Sequence, residues 1–189
     1  MSHTRTPSFF AQEAGLVLCL WRRELLRVVK ERSRWAGALA QPLFFWLIIG
    51  TGMAKTFHLP GLENVTALQF FFPGMLAMII LFATIFGTIS IVEDRAQGFL
   101  QAVLVAPGSR QALVLGKVLG VTSLALVQVG LFAMLAPVAG FKVSSVRWGV
   151  LAAVCLLASV GLTAMNFTVA WVINSVQGYH AIMGIVLYP

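Results

Sequence analysis

The stretch "LQFFFPGMLAMIILFATIFGTISIV", residues 68–92, contains no aspartate, glutamate, lysine, arginine or histidine. A helix needs about 20 mostly apolar residues to cross the hydrocarbon core of a bilayer, and this stretch is long enough. Three further runs of the same kind occupy residues 35–54, 118–141 and 148–173. The sequence therefore predicts four membrane-spanning helices.

The composition of the whole chain also indicates a membrane protein. Of its 189 residues, 59% are hydrophobic and only 10% are charged, and the mean hydropathy is +0.92. A soluble domain needs more polar residues for its surface than this chain has. We therefore predict an all-α fold, a polytopic transmembrane helical bundle that forms a single domain over residues 1–189.

A fifth apolar run begins near Ala181 and stops at Pro189. Its nine residues rise about 14 Å as a helix, which is too short to cross a bilayer. The run also has no polar face with which to lie on water. We therefore expect an incomplete fifth span in a chain that is a fragment or the product of a shortened gene. A re-entrant or surface-lying tail is the alternative.

The basic residues predict the orientation in the membrane. The net charge is +7, and six of the thirteen basic residues lie in residues 22–34, just before the first apolar run. Such a cluster indicates the cytoplasmic side and a contact with anionic lipid, and nucleic-acid binding is the weaker interpretation. A cytoplasmic N-terminus leaves only Lys55, Lys142 and Arg147 outside. We therefore predict a multi-pass protein with its N-terminus in the cytoplasm and no nucleic-acid partner.

Residues 8–33 are predicted to form an amphipathic helix on the cytoplasmic surface of the membrane. Its apolar residues recur at steps of three and four, which is the spacing of one helix face. They are Phe10, Ala14, Val17, Trp21, Leu25 and Val28. The basic residues of the same helix include Arg22, Arg23, Arg27 and Lys30.

Residues 93–117 form the one substantial loop between spans on the predicted cytoplasmic side. Ser109 can cap the helix that follows, and Glu93 and Asp94 begin the loop, where a helix N-terminus favours negative charge. The apolar residues that share one helical face are Phe99, Leu100, Val103 and Leu104. We therefore predict a short amphipathic helix at about 94–105 that contacts a cytoplasmic protein. A helix that only lies among the lipid headgroups is the alternative.

Residues 70–119 combine Pro73-Gly74, an acidic and an arginine residue at 93 and 95, and Leu115-Gly116-Lys117. With this ordered set the stretch resembles the membrane subunit of ABC-2 type exporters, a permease family that includes drug, polysaccharide and lipo-oligosaccharide exporters. The family pattern has Pro-Gly in the second span, an acid and an arginine at its inner end, and Leu-Gly-Lys entering the third span. The matching residues are Pro73-Gly74, Glu93, Arg95, Gly98, Phe99-Leu100, Pro107, Arg110 and Leu115-Gly116-Lys117. Arg23-Glu24 in the surface helix also fits. Family members usually have six spans, and they often have Thr or Ser and Glu in place of Phe99 and Gln101.

The resemblance implies a permease subunit of an ATP-driven exporter in the bacterial inner membrane. Its expected partners are a separate ATP-binding cassette subunit, a second permease copy and the lipid bilayer. The chain itself is expected to bind no cofactor, since ATP binds to the partner. The cargo class implied is a drug, a lipid or a saccharide-type substrate.

In the family, the first cytoplasmic loop is a coupling helix that docks on the ATP-binding subunit. The contact residues implied by this resemblance are Asp94, Arg95, Gly98, Phe99, Leu100 and Val103. Glu93 is expected to contact the surface helix instead, because it lies at the end of a span.

The chain carries no motif of a catalytic or metal site. GxxxxGK[ST], HExxH and GxSxG are all absent, and the three histidines lie in separate segments. The predicted spans contain no ionisable residue, which argues against an ion-coupled carrier. An intramembrane enzyme therefore has no support. A non-transporting membrane anchor for a cytoplasmic partner is the alternative function.

Two features in or beside the spans suggest helix contacts or a substrate path. Gln128 and Asn166 are the deepest amides and are the candidates to line a substrate path. Interhelical hydrogen bonding is the alternative, and it is favoured for any single polar residue. Gly116 and Gly120 form a GxxxG pair, which indicates close packing against another helix.

Overall fold

The computed structural model describes residues 9–30, 32–54, 56–57, 65–98, 109–173 and 175–187. Within these ranges the chain is helical and contains no strand, which confirms the predicted all-α fold. The α-helices are α1 (Phe9–Lys30), α2 (Arg32–Gly52), α3 (Ala67–Ala96), α4 (Arg110–Ala133), α5 (Trp148–Val172) and α6 (Val176–Leu187). A short 3-10 helix, Val143–Ser145, lies between α4 and α5.

Three helices, α3, α4 and α5, are long and apolar enough to cross a membrane. The apolar stretch described for α2, Ala36–Gly52, is shorter than these three. The structure thus has a helix in each of the four regions predicted as spans, and among the described residues three of these helices are long and apolar enough to cross a membrane. α6 begins at Val176, which is five residues before the fifth apolar run was expected to start.

α3 is the central helix, with contacts to α2, α4, α5 and α6. Of the most apolar 18-residue stretch of α3, 72% is buried inside the bundle. Only 28% of the corresponding stretch of α5 is buried, so α5 lies at the edge of the bundle. At the start of α3, three aromatic rings join α2, α3 and α4, with ring centroids 5.0 to 5.7 Å apart. The rings belong to Trp46, Phe72 and Phe132. A second apolar cluster, which includes Leu20 and Tyr179, lies where α3 ends. We call this second end of the bundle the α1 end.

The third predicted span begins and ends earlier than its apolar run, 118–141, suggested. α4 begins at Arg110, because Ser109 caps it by accepting a hydrogen bond from the backbone N–H of Ala112 at 3.0 Å. This confirms the predicted cap. Lys117 was taken as the boundary of the apolar run, but it lies inside α4 and is buried. Turns over residues 134–140 follow the helix.

The helix predicted at about 94–105 does not begin at residue 94. α3 continues through Asp94 to Ala96, and Gly98 follows it with φ +73°, a left-handed conformation that glycine adopts readily and that ends helices. The connection between α3 and α4 is therefore shorter than the predicted loop, 93–117. Most of it, including Phe99, Leu100, Val103 and Leu104, lies outside the described residues.

The predicted surface helix is present as α1, but it packs along α4. The facing pairs, in order along both helices, are Glu13 with Ser109, Leu20 with Gly116 and Glu24 with Gly120. Because the order is the same on both, the two helices run in the same direction. A Cβ atom added at Gly116 would lie 2.8 Å from the Cβ of Leu20, and one added at Gly120 would lie 2.7 Å from that of Glu24. The GxxxG pair therefore packs closely against another helix, as predicted.

Candidate functional site

Six charged side chains meet at the α1 end of the bundle, where α1 lies against α3 and α4. They are Arg23, Glu24, Arg27, Glu93, Asp94 and Lys117. We call this group the ion-pair cluster. It contains three cations and three anions, so its formal charges balance.

Lys117 is the most deeply buried cation of the ion-pair cluster, at 1% exposure. Its Nζ donates to Oε1 of Glu24 at 2.7 Å, to Oγ of Ser90 at 3.3 Å and to Oδ2 of Asp94. An ammonium group has three N–H donors, and these three acceptors come from two other helices, Glu24 from α1 and Ser90 and Asp94 from α3. Lys117 therefore ties α1, α3 and α4 together at one point.

Asp94 has no exposed surface, although it is a charged residue. Nη1 and Nη2 of Arg23 donate to its two carboxylate oxygens at 3.0 and 2.7 Å, and Nη1 of Arg27 donates to Oδ1 at 3.3 Å. The hydrogen bonding between Arg23 and Asp94 raises the pKa of the Arg23 guanidinium above its usual value. Asp94 lies near the C-terminus of α3, where the helix dipole disfavours an anion. The surrounding cations offset this cost.

Glu93 also binds α1. Nη2 of Arg27 donates to Oε2 of Glu93, so the expected contact between Glu93 and the surface helix is confirmed. The sequence pattern placed the acidic pair at the start of a new helix. In the structure the pair instead fixes the end of α3 to α1.

Arg95 and Gly98 complete the end of α3. The guanidinium of Arg95 donates to the backbone oxygens of Trp171 and Ile173, and it lies 5.2 Å from the ring of Trp171. A cation at the C-terminus of a helix is favourable, so Arg95 fastens the end of α5 to α3. Gly98 then turns the chain into the connection with α4.

α1 also fixes the start of α4. The carboxylate of Glu13 accepts hydrogen bonds from the backbone N–H of Ser109, at 2.9 Å, and from its hydroxyl. The connection between α3 and α4 is thus bracketed by α1: Arg23 and Arg27 bind the residues before it, and Glu13 binds the residue that ends it. A force on this connection would act on all three helices.

The residues implied as contacts with an ATP-binding subunit therefore fall into two groups. The side chains of Asp94 and Arg95 bind other helices of this chain, and Gly98 lies at the end of α3. The remaining implied contacts, Phe99, Leu100 and Val103, lie outside the described residues. The contact itself stays a prediction.

The two candidates for a substrate path are both buried within the bundle. Asn166 donates from Nδ2 to Oγ1 of Thr84 at 3.0 Å, which is a hydrogen bond between α5 and α3. Gln128 is 2% exposed, and its Oε1 has no hydrogen-bond partner among the described residues. The buried hydroxyls of Thr122 and Thr163 also have no hydrogen-bond partner among the described residues. The contact of Asn166 matches the interhelical alternative, and the role of both amides in a path stays a prediction.

The pairing of Glu24 with Lys117 was missed by sequence reasoning. The sequence did contain a signal, because Lys117 lies between Gly116 and Gly120 in an otherwise apolar stretch. A cation at a close helix contact needs a buried anion nearby. Glu24 is one of only six acidic residues and lies on the predicted amphipathic helix.

Comparison with known proteins adds independent evidence. The model of the family described as "ABC-2 type transporter" matches residues 15–189. "Putative transport permease ycf38" of Cyanophora paradoxa is 29% identical to the chain over 130 residues. That match covers 68% of this chain and 43% of the relative, so the chain spans less than half of the relative's length. No solved structure matches the chain.

Proposed function

The chain belongs to the ABC-2 type transporter family. We propose that it is the permease subunit of an ATP-driven exporter. In this proposal a separate ATP-binding cassette subunit hydrolyses ATP, and the chain converts that subunit's movement into a change in the membrane helices. ATP is bound by the partner, and this chain binds no cofactor. The proposed cargo is a drug, a lipid or a saccharide-type substrate.

The observation that carries the proposal is the bracketing of the α3–α4 connection by α1. A coupling segment transmits movement only if its two ends are fixed to the helices that must move. Here the end of α3 is fixed through Asp94 and the start of α4 through Glu13, and both anchors lead to α1. Interfaces and packed cores switch between discrete arrangements, so a small displacement at the connection can shift α1, α3 and α4 together.

In this proposal the connection between α3 and α4 contacts the ATP-binding subunit, and the residues at its ends hold it in position. Phe99, Leu100 and Val103 supply the apolar surface that docks on the ATP-binding subunit. Asp94 and Arg95 position that surface, because their side chains bind the other helices. Gly98 provides the turn between the two parts.

The proposed setting is the bacterial inner membrane, with the N-terminus and the α1 end in the cytoplasm. The ten-to-three bias of basic residues supports this orientation. A second permease copy would complete the transporter. The substrate path would then use Gln128 and Asn166, whose amides are buried polar groups within the bundle. Opening the bundle is required to expose them.

A non-transporting membrane anchor is the second candidate. The burial of both amides favours it, since the described part of the chain places them away from any surface. An anchor requires the docking connection but no path. Transport by the chain together with its partner subunits, reconstituted in vesicles, separates the two candidates, because an anchor moves no cargo.

The docking step is tested by Phe99→Asp in the complex purified from its native membrane. A buried carboxylate opposes an apolar contact, so we expect the ATP-binding subunit to be lost from the purified complex. The matched control is Val143→Asp, which makes the same type of change at an exposed position at the opposite end of the bundle. That variant should retain the subunit. Retention of the subunit by Phe99→Asp, with a normally folded chain, would contradict the proposed docking site.

A further inference from the structure

A basic pocket lies between α1 and the end of α3, next to the ion-pair cluster. Its volume is about 480 Å³, and four of its lining side chains are cationic. They are Arg22, Arg23, Arg27 and Lys30. Leu26 of α1 and Gln97, which caps the end of α3, also line the pocket, so it has an apolar part and a contact with the end of α3. We call it the basic pocket.

The basic pocket carries an excess of positive charge. Arg23 and Arg27 bind the carboxylates of α3, so part of their charge is offset. Counted together, the basic pocket and the ion-pair cluster contain five cations and three anions, which leaves two positive charges in excess. Arg22 and Lys30 are exposed and supply that excess. The pocket is therefore suited to an anion.

The exposed face of α1 indicates which kind of anion would fit the basic pocket. Leu18 is 62% exposed and Leu26 is 51% exposed, and Arg22 lies midway between them at helical spacing. Leu20 and Glu24 face α4, and each lies two residues from a member of this stripe. Two residues correspond to about 200° around the helix, so the stripe and the α4 contact lie on different sides of α1. An arginine between two exposed leucines can lay its aliphatic stem along apolar surface while its charged head stays in water, which suits the boundary between headgroups and acyl chains.

We propose that the basic pocket binds the phosphate headgroup of an anionic phospholipid, whose acyl chains cover Leu18 and Leu26. Guanidinium groups match phosphate oxygens in geometry and charge, and basic clusters beside a membrane attract anionic lipids. The headgroup would bridge α1 and Gln97, and so would brace the end of α3 next to the connection. The apolar stripe favours lipid over the acidic surface of a protein partner. The proposal requires only that the chain lies in a membrane, and it does not depend on export.

The proposal is tested by native mass spectrometry of the detergent-solubilised chain, titrated with phosphatidylglycerol and, in parallel, with phosphatidylcholine. We expect preferential retention of phosphatidylglycerol. The double variant Arg22→Gln with Lys30→Gln should weaken that binding about 25-fold, because each cation near an anionic surface contributes about fivefold in affinity. The matched control is Lys142→Gln with Arg147→Gln. It removes the same charge from exposed positions at the opposite end and should bind as the parent does.

Three outcomes would overturn the proposal. The first is equal phosphatidylglycerol binding by the double variant and its control. The second is displacement of the lipid by millimolar inorganic phosphate alone, which would identify the ligand as a free anion. The third is equal retention of phosphatidylglycerol and phosphatidylcholine by the parent chain, which would show that the pocket does not select an anionic headgroup. Unchanged thermal unfolding of the double variant is expected, because neither residue belongs to the ion-pair cluster.

Discussion

Lys117 illustrates how a charged side chain can lie inside an apolar helix. Moving an ammonium group out of water costs several kcal/mol, and only well-placed partners offset that cost. Glu24, Ser90 and Asp94 supply one acceptor to each of its donors. The arrangement is therefore stable only while all its members are present. Removing one member leaves an uncompensated buried charge, which costs more than the pair contributed.

We predict that Lys117→Met lowers the free energy of unfolding by about 3–5 kcal/mol, because Glu24 and Asp94 lose a shared cation in a buried site. Thermal unfolding in detergent measures the change. Lys142→Met, at an exposed position at the opposite end, should leave the midpoint unchanged. Adding Glu24→Gln to Lys117→Met should recover part of the loss, since it restores the charge balance. Parental stability of the single variant would show that the ion-pair cluster does not form as described.

At the scale of elements, the approach of α1 to α4 depends on two positions without side chains. Val17 and Leu20 lie over Gly116, and Glu24 lies over Gly120, at distances that leave no room for a Cβ atom. This close approach brings Glu24 within reach of Lys117. The glycines thus permit both the helix packing and the buried ion pair, and the second depends on the first.

We predict that Gly120→Ala destabilises the protein by about 1–3 kcal/mol, which is typical of overpacking, because the added methyl would lie 2.7 Å from the Cβ of Glu24. Gly130→Ala, on the same helix, is the matched control. No atom of a neighbouring element in the described part of the chain lies within 4 Å of its added methyl, so the higher helix propensity of alanine should stabilise the protein by up to about 1 kcal/mol. Unfolding midpoints of the two variants should therefore move in opposite directions. A shift in the same direction for both would contradict the packing of α1 on α4.

The helices themselves could be predicted from the sequence, because the length of an apolar run and a spacing of three and four are local properties. Ser109 as a cap and Gly116 with Gly120 as a helix contact were predictable for the same reason. The end of α3 and the start of α4 were not, because charged residues were taken as loop. Lys117 and Asp94 can lie in helices only because Glu24 and Arg23 neutralise them. These partners are far away in the chain, and no local pattern records such pairings.

The same limit applied to the candidate site. The chemistry of the segment around Asp94 indicated a contact, and Glu93 was assigned to α1 correctly. The sequence did not show that the side chains of Asp94 and Arg95 are occupied by helices of this chain. Burial of an acid at a helix C-terminus is unfavourable locally, so it can be foreseen only once the cations of α1 are known to lie beside it.

At the scale of the whole molecule, the two ends of the bundle differ in charge. The ion-pair cluster and the basic pocket both lie at the α1 end. In the described loop at the opposite end, between α4 and α5, the basic residues are Lys142 and Arg147. A membrane protein with this asymmetry is expected to keep its more basic end in the cytoplasm. The proposed lipid site and the proposed docking connection would then face the same compartment, where both anionic lipid and ATP are found.

This orientation predicts which cysteines a membrane-impermeant maleimide can reach. Cys19 is exposed at the α1 end, whereas Cys155 is buried and should not react. We expect Cys19 to be labelled in inverted membrane vesicles but not in intact cells, since the proposed orientation places the α1 end in the cytoplasm. A Ser144→Cys variant that also carries Cys19→Ser should show the reverse pattern, because Ser144 is exposed in the opposite loop. Labelling of Cys19 from outside intact cells would show that the bundle has the opposite orientation. The connection between α3 and α4 would then lie out of reach of any cytoplasmic ATP-binding subunit.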